Sequence, residues 1–347
     1  MSGSRQRSRT PPCRQACISI GSACSGWSSE LFAAKRLGLR VTPAFGCDCD
    51  PHCIRFNQEV WSHQRFFTDV FEPAFLQDTH SVDCFVTGPP CQPYSVAGQA
   101  GGENDHRSQP MLRVLQWIDM HRPKTFLVEN VAGLLLRHEQ LLEEVVEFLV
   151  GLQDRDGQAD YKVEVELLNA RVHAGVPQHR ERIFIIGCRR DCQQADMSWP
   201  QPKDMGPIDS YLLTDDQLDV LGVPFPMLPD SRQRTLRAAL ERICCAGGDP
   251  EVERYVVNIG GTSPHYNMDY APCLTRARAA DPCGMFLSWK MRCMCAYEAV
   301  QLQGVRLEEV VATSLSPRQL GQLAGNAIQV DLLALVLRSL LRMAGLL

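Results

Sequence analysis

From about residue 17 to 190 the apolar positions fall into two rhythms that take turns. The runs ACISIGS, VTPAFGCD, VDCFVTG, KTFLVENV, YKVEVELL and RIFIIGC are short, rich in β-favouring residues and set off by turn formers. They predict buried strands. Between them, SSELFAAKRLG, PHCIRFNQEVW, QPMLRVLQWIDMH and RHEQLLEEVVEFLVGL carry apolar residues every three or four positions and predict helices. Strands alternating with helices of this length predict an α/β fold with a mostly parallel, doubly wound sheet.

The pattern breaks after Cys188. Residues 189–290 are rich in Pro, Gly and Asp, with one clear helical stretch, RTLRAALERIC, and a few short β-like runs such as RYVVNIG. Helical periodicity resumes in AYEAVQLQG, SPRQLGQLAG and QVDLLALVLRSLLRMAGLL. The organisation expected is a basic tail over 1–16, one domain built from 17–188 and 291–347, and a smaller irregular domain over 189–290.

Composition narrows this little. The 347 residues suffice for about two domains. Apolar and charged fractions of 45% and 22% are ordinary for a globular protein. No apolar run approaches the roughly 18 residues of a membrane span, so no membrane partner is expected. The tail carries Arg5, Arg7, Arg9 and Arg14 without an acid or an apolar stretch, which argues against a secretory signal and reads as disordered. An intracellular protein is expected, and in a eukaryotic cell RQRSRTPP reads as a nuclear address. The net charge of −5 means that a nucleic-acid partner would have to be met by a local basic surface. None of the 16 cysteines forms a Cys-x2-Cys pair, so no metal site is expected. Most read as small buried apolar residues in a reducing compartment.

Four stretches carry candidate chemistry. Ligands of open α/β sheets collect beyond the carboxyl ends of the strands, and Cys91 follows VDCFVTG in that position. Pro89 and Pro90 stiffen the backbone before it, and a Gly-rich hydrophilic segment follows. This reads as an aimed nucleophile with a loop able to close, or as a buried cysteine in a Pro-rich turn. Glu129 and Asn130 end the apolar strand KTFLVENV, where burial raises a carboxyl pKa; the alternative is a helix-capping acid. In GVPQHRERIFIIGC, Gln178, Arg180 and Arg182 alternate and, if extended, share one face suited to phosphate or carbonyl recognition. The alternative is a charged edge strand. Gly325-Asn326 before the last helix permits close backbone approach, or simply a turn.

In their order and content, GPPCQPYS, ENV, QxRxR and GN with a following valine resemble the cytosine-5 DNA methyltransferase family over about two thirds of the chain. The resemblance implies a Rossmann-like, S-adenosylmethionine-dependent sheet with the region 189–290 inserted as target-recognition domain. It implies that Cys91 adds to carbon 6 of a flipped-out cytosine, that Glu129 protonates or hydrogen-bonds ring nitrogen 3 and that Asn130 helps place it. Arg182 is expected on the cytosine carbonyl and Arg180 near the nucleotide and phosphate. Gln92, Ser95 and Gln178 are expected to bind the substrate. The implied cofactor residues are Ser25, Gly26 and Trp27 after the first strand, Asp48 on the ribose hydroxyls, Asp69 near the adenine, and Pro89, Asn326 and Ile328. Cys24 stands where the family has an aromatic residue, and Ser28-Ser29 where it has two glycines. Arg276 and Arg278, in a loop-like setting, are where base contacts are expected. The expected partner is double-stranded DNA and the expected state a monomer. Tyr94-Ser95 and the lack of a Cys-Phe-Thr tripeptide favour DNA over tRNA; tRNA transfer and a catalytically silent DNA-binding relative are the alternatives.

Overall fold

The computed structural model describes residues 17–90, 109–261 and 264–347. The chain runs β1 (Ile18–Ala23), α1 (Ser29–Arg36), β2 (Val41–Cys47), α2 (Pro51–Val60), β3 (Arg65–Phe67), α3 (Pro73–Gln77) and β4 (Cys84–Thr87). It continues through α4 (Gln109–His121), β5 (Thr125–Val131), α5 (Gly133–Arg137), α6 (Glu139–Val150), β6 (Tyr161–Asn169), α7 (Ala170–His173) and β7 (Glu181–Arg189). The seven strands form one sheet in the order β3-β2-β1-β4-β5-β7-β6. Pairing is parallel from β3 to β5, while β7 runs antiparallel to both β5 and β6. The α/β sheet expected from the strand-helix alternation is thus present, with one reversed strand.

Both faces of the sheet are covered, which is why its central strands read as continuous apolar runs. One face buries Trp27, Phe32 and Phe56 together with the leucines of the C-terminal helix. The other buries Phe45, Phe75, Phe85, Trp117 and Phe126, with Phe85 and Trp117 stacked at 4.2 Å. Local signals set the helix starts. Asp50 accepts from the His52 amide with Pro51 in the first turn of α2, an N-cap that satisfies a donor the helix cannot.

The irregular region adds α8 (Asp215–Val220), α9 (Asp230–Cys245), β8 (Tyr255–Asn258), β9 (His265–Met268), α10 (Arg276–Ala279), β10 (Met285–Leu287) and β11 (Arg292–Cys293). Its strands form a second, antiparallel sheet in the order β11-β10-β8-β9. Ala239 and Ile243 of α9 pack with Tyr255, Val257 and Phe286 of that sheet.

Three helices close the chain: α11 (Ala296–Leu302), α12 (Pro317–Asn326) and α13 (Val330–Met343). Ser316 and Gln319 make a reciprocal capping box at α12. The helix α13 packs against α1, where Arg36 pairs with Asp331 and also donates to the Gly304 carbonyl at 2.7 Å. Gly321 and Gly325 let α10 lie on α12: a Cβ at Gly321 would stand 2.3 Å from the Ala279 carbonyl oxygen, and one at Gly325 2.4 Å from the Arg276 nitrogen. The close approach expected at Gly325 is therefore to another backbone segment. Among the described residues, no single helix is long and apolar enough to cross a membrane.

Candidate active site

The carboxyl ends of β1, β4 and β5 and the link between α12 and α13 border a narrow cleft of ≈ 30 Å³. Its walls include Ser25, Gly26, Thr87, Glu129, Asn326 and Ile328.

The turn after β1 is unusual in its backbone. Cys24, Gly26 and Ser28 alternate through left-handed φ values of 50°, 56° and 61°, a conformation that costs a non-glycine residue roughly 1–2 kcal/mol. Hydrogen bonds hold it. The Ser25 amide and hydroxyl donate to the Cys47 carbonyl at 3.0 and 3.1 Å, and the Cys47 amide donates back to Ser25 Oγ at 3.0 Å. The Ser28 hydroxyl donates to Asn57 at 2.6 Å. The Gly26 amide donates to Asp48 Oδ2 at 2.8 Å, and the Asp50 amide to Asp48 Oδ1 at 2.9 Å. Burial nonetheless pushes the Asp48 carboxyl above its ordinary range, against these two donors. Asp69 is exposed, one oxygen accepting from the Phe71 amide. Its charge reaches Cys24 and adds to the burial that drives that thiol far up.

Trp27 departs from expectation. Its side chain is fully buried, packed against Phe32 and Phe56 with ring centroids 6.1 Å from each, and its indole donates to Ser29. The left-handed residues on either side swing it into the core, so the ring is framework and not cofactor contact.

At the β5 edge, Arg182 Nε lies 2.8 Å from Glu129 Oε1. The register explains the meeting, since Glu129 stands opposite Phe184 and Val131 opposite Arg182 across the antiparallel pair. The contact is an ion pair rather than an aligned hydrogen bond, and Glu129 Oε1 keeps an unused lone pair. Burial raises the Glu129 pKa, opposed first by the charge of Arg182 and then by that of Arg180. Asn130 donates to the Pro89 carbonyl at 3.1 Å and accepts from the Val131 amide. It thereby anchors the backbone two residues before Cys91. Cys91, Gln92 and Ser95 lie outside the described residues.

Two residues of the QxRxR segment contradict their expected roles. Gln178 is fully buried, donating to the Leu302 carbonyl at 3.3 Å and accepting from Gln303 at 3.0 Å, so its amide is closed to nucleic acid. Arg180 is buried too. Its guanidinium donates to the carbonyls of Leu274 at 2.8 Å, Gly325 at 3.3 Å and Ala327, and burial brings its pKa down to about 10, leaving it charged. A phosphate cannot reach it. The alternation rule fails because β7 pairing begins at Glu181, so Gln178 and Arg180 precede the regular strand and turn inward.

Arg276 is half-exposed and pairs with Asp50 at 2.9 Å, which brings α10 to the cap of α2 beside Asp48. Arg278 donates to the Cys273 carbonyl. The sequence reading passed over Glu30 and Thr87, whose Oε1 and Oγ1 atoms are buried in the cleft without a partner. The one available signal was an acid in the otherwise small and apolar start of α1. A larger groove between α10, α11 and α12, of ≈ 820 Å³, shares no lining residue with the cleft.

Comparison with known proteins adds a family. The model of the C-5 cytosine-specific DNA methylase family matches residues 17–235. Type II methyltransferase M.HgiCII of Herpetosiphon aurantiacus is 31% identical over 179 residues, covering 50% of this chain and 39% of that protein. Type II methyltransferase M.HpaII of Haemophilus parainfluenzae is 35% identical over 133 residues, covering 38% of this chain and 35% of its own. The alignments thus span under half the length of these curated relatives. In fold, the chain is similar to a triple-mutant structure of Spodoptera frugiperda DNMT2, with a TM-score of 0.63 at 17% identity over 93% of this chain and 99% of the other. A putative DNA modification methyltransferase encoded within an E. coli prophage gives a TM-score of 0.61 at 17% identity, covering 94% and 99%.

Proposed function

Because the chain belongs to the C-5 cytosine-specific DNA methylase family, we propose that it transfers a methyl group from S-adenosylmethionine to carbon 5 of cytosine in double-stranded DNA. The observation that carries this reading is the Glu129–Arg182 pair at the strand edge, with Asn130 tied to Pro89 just ahead of Cys91. Residues 17–188 and the chain after β11 form the catalytic domain, 189–293 the target-recognition domain, since β11 pairs into the second sheet, and the enzyme works as a monomer.

The cleft suits the cofactor. Two buried polar atoms, Glu30 Oε1 and Thr87 Oγ1, lack partners there, and the space beside Gly26 is open, with no atom within 4 Å of where a Cβ would stand. Ser25, Gly26 and Asp48 hold its ribose side, Asp69 its adenine, and Asn326 and Ile328 close over it. When bound, the cofactor supplies an electrophilic methyl group.

Carbon 5 of cytosine is too weak a nucleophile to accept that group. The Cys91 thiolate adds to carbon 6, forming a C–S bond, and the ring π electrons move toward nitrogen 3. Glu129, its pKa raised by burial, gives that nitrogen a proton or a hydrogen bond. Carbon 5 becomes an enamine carbon and takes the methyl group. A water molecule then takes the carbon 5 proton, the thiolate leaves as the C5–C6 double bond re-forms, and nitrogen 3 returns its proton to Glu129. Arg182, beside Glu129, donates to the cytosine carbonyl, while Arg180 positions the strand from behind. Extrusion of the base costs a few kcal/mol, recovered in the pocket. Arg276 and Arg278 face the DNA, and Tyr94-Ser95 supports DNA over tRNA.

Trapping tests this. With S-adenosylmethionine, duplex DNA bearing 5-fluorocytosine should give a denaturant-resistant adduct that Cys91→Ser abolishes, because fluorine blocks elimination. An adduct on RNA alone reassigns the substrate, and none on either overturns the enzyme reading.

A further inference from the structure

The cleft holds two buried carboxylates, and among the described residues one of them has no cation. Glu129 has Arg182. Glu30, the second residue of α1, is only 2% exposed and lines the same cleft. Its Oε1 has no hydrogen-bond partner, and among the described residues no basic group acts on it. The hydroxyls of Ser22 and Ser28 stand beside it as neutral neighbours. A carboxylate removed from water without a partner is costly and is normally answered by a cation or by protonation.

We propose that Glu30 receives the α-ammonium group at the methionine end of the cofactor and selects for ligands that carry it. The inference rests on the cofactor reading of the cleft given above. With Asp48 beside the Gly26 turn at the ribose side and Glu129 at the base side, Glu30 lines the cleft at the start of α1, close enough to β4 for its charge to reach Cys84. The methionine end carries the ligand's protonated amine, a charged group with three donors for a carboxyl whose Oε1 is unpaired and whose other neighbours are neutral. Burial lets the acid stay neutral when the cleft is empty, as its pKa is pushed up to about 7, so the fold tolerates it until an ammonium arrives. Glu30 is therefore a positioning and specificity residue; it touches no reacting atom.

The test is calorimetry of the full chain, crossing wild type and Glu30→Gln with S-adenosylhomocysteine and its analogue lacking the α-amino group. S-adenosylhomocysteine has the ammonium and no sulfonium, so the cycle isolates the amine. Glu30→Gln should weaken S-adenosylhomocysteine about 10- to 100-fold, as for a lost charged hydrogen bond, and leave binding of the desamino analogue unchanged. Glu30→Asp, which keeps the charge on a shorter arm, should restore part of the preference. Equal losses for both ligands, or no loss, overturn the assignment. Wild type alone also tests it, since discrimination of less than about tenfold between the ligands refutes the pairing whether or not a variant folds. Wild type that binds neither ligand overturns the cofactor reading itself.

Discussion

Arg180 and Arg182 stand two residues apart and serve two regions, the seam behind the sheet and the cleft at its edge. In the seam, three backbone carbonyls from Leu274, Gly325 and Ala327 converge on Arg180. In the cleft, Arg182 meets one carboxylate and keeps part of its guanidinium accessible, its side chain 12% exposed. One arginine joins three chain segments into a unit, and the other tunes an acid. Sequence spacing treats them as equivalent, while the start of strand pairing at Glu181 separates them.

The contrast breaks most sharply under substitution. Arg180→Leu should strand three buried carbonyls and cost about 3–5 kcal/mol, read as a large fall in urea midpoint with activity lost alongside. Arg182→Leu should cost far less, about 1 kcal/mol, because Glu129 can take a proton when its cation is gone. If the two variants lose equal stability, the division into seam and cleft is wrong.

Next in size is Glu129→Gln, expected to lower the methyl-transfer rate by about 10²–10⁴ while unfolding near the wild-type midpoint. The sign of the pH effect follows from the raised pKa. Protonated Glu129 persists above the usual carboxylate range, and the rate falls as pH climbs through the raised value. Arg182→Leu removes the charge that holds this value down and should move the falling limb to higher pH; a pH-rate profile decides it.

Glu30 gives a smaller, purely thermodynamic signature. Its pKa in the fold is raised from 4.5 to about 7, so the folded state holds a proton that the unfolded state has lost between those values. Its stabilising contribution is present in acid and is lost as pH rises through that window, by roughly 3 kcal/mol in all at 1.36 kcal/mol per unit. Glu30→Gln should flatten that part of the ligand-free stability curve. Smallest is Arg276→Ala. The half-exposed pair with Asp50 is worth under about 1 kcal/mol to the fold, but DNA affinity should fall and the slope against log salt should decrease by about one. Unchanged salt dependence would remove Arg276 from the DNA surface.

Much of the sheet could be read from the chain because its central strands are buried on both faces, and α4 spans the residues its periodicity predicts. The three-residue β3 and the short strands β9, β10 and β11 offer no period to detect. Glu129 was legible as the last acid of an apolar strand. Trp27 was not, because it sits in a Gly- and Ser-rich turn whose left-handed backbone, visible only in three dimensions, turns it inward. Glu30 was hidden by convention, since an acid in the first turn of a helix ordinarily just complements the dipole.

The packing of α13 on α1 has a consequence for biosynthesis. Arg36 and Asp331 are separated by 295 residues, so α1 leaves the ribosome long before its covering helix exists. At about 5–20 residues per second the interval is roughly 15–60 s. Throughout it, the side of α1 that α13 will cover faces solvent or chaperone. A nascent chain of this design should therefore depend on holdase protection until the last helix emerges, and slower translation should lower its soluble yield.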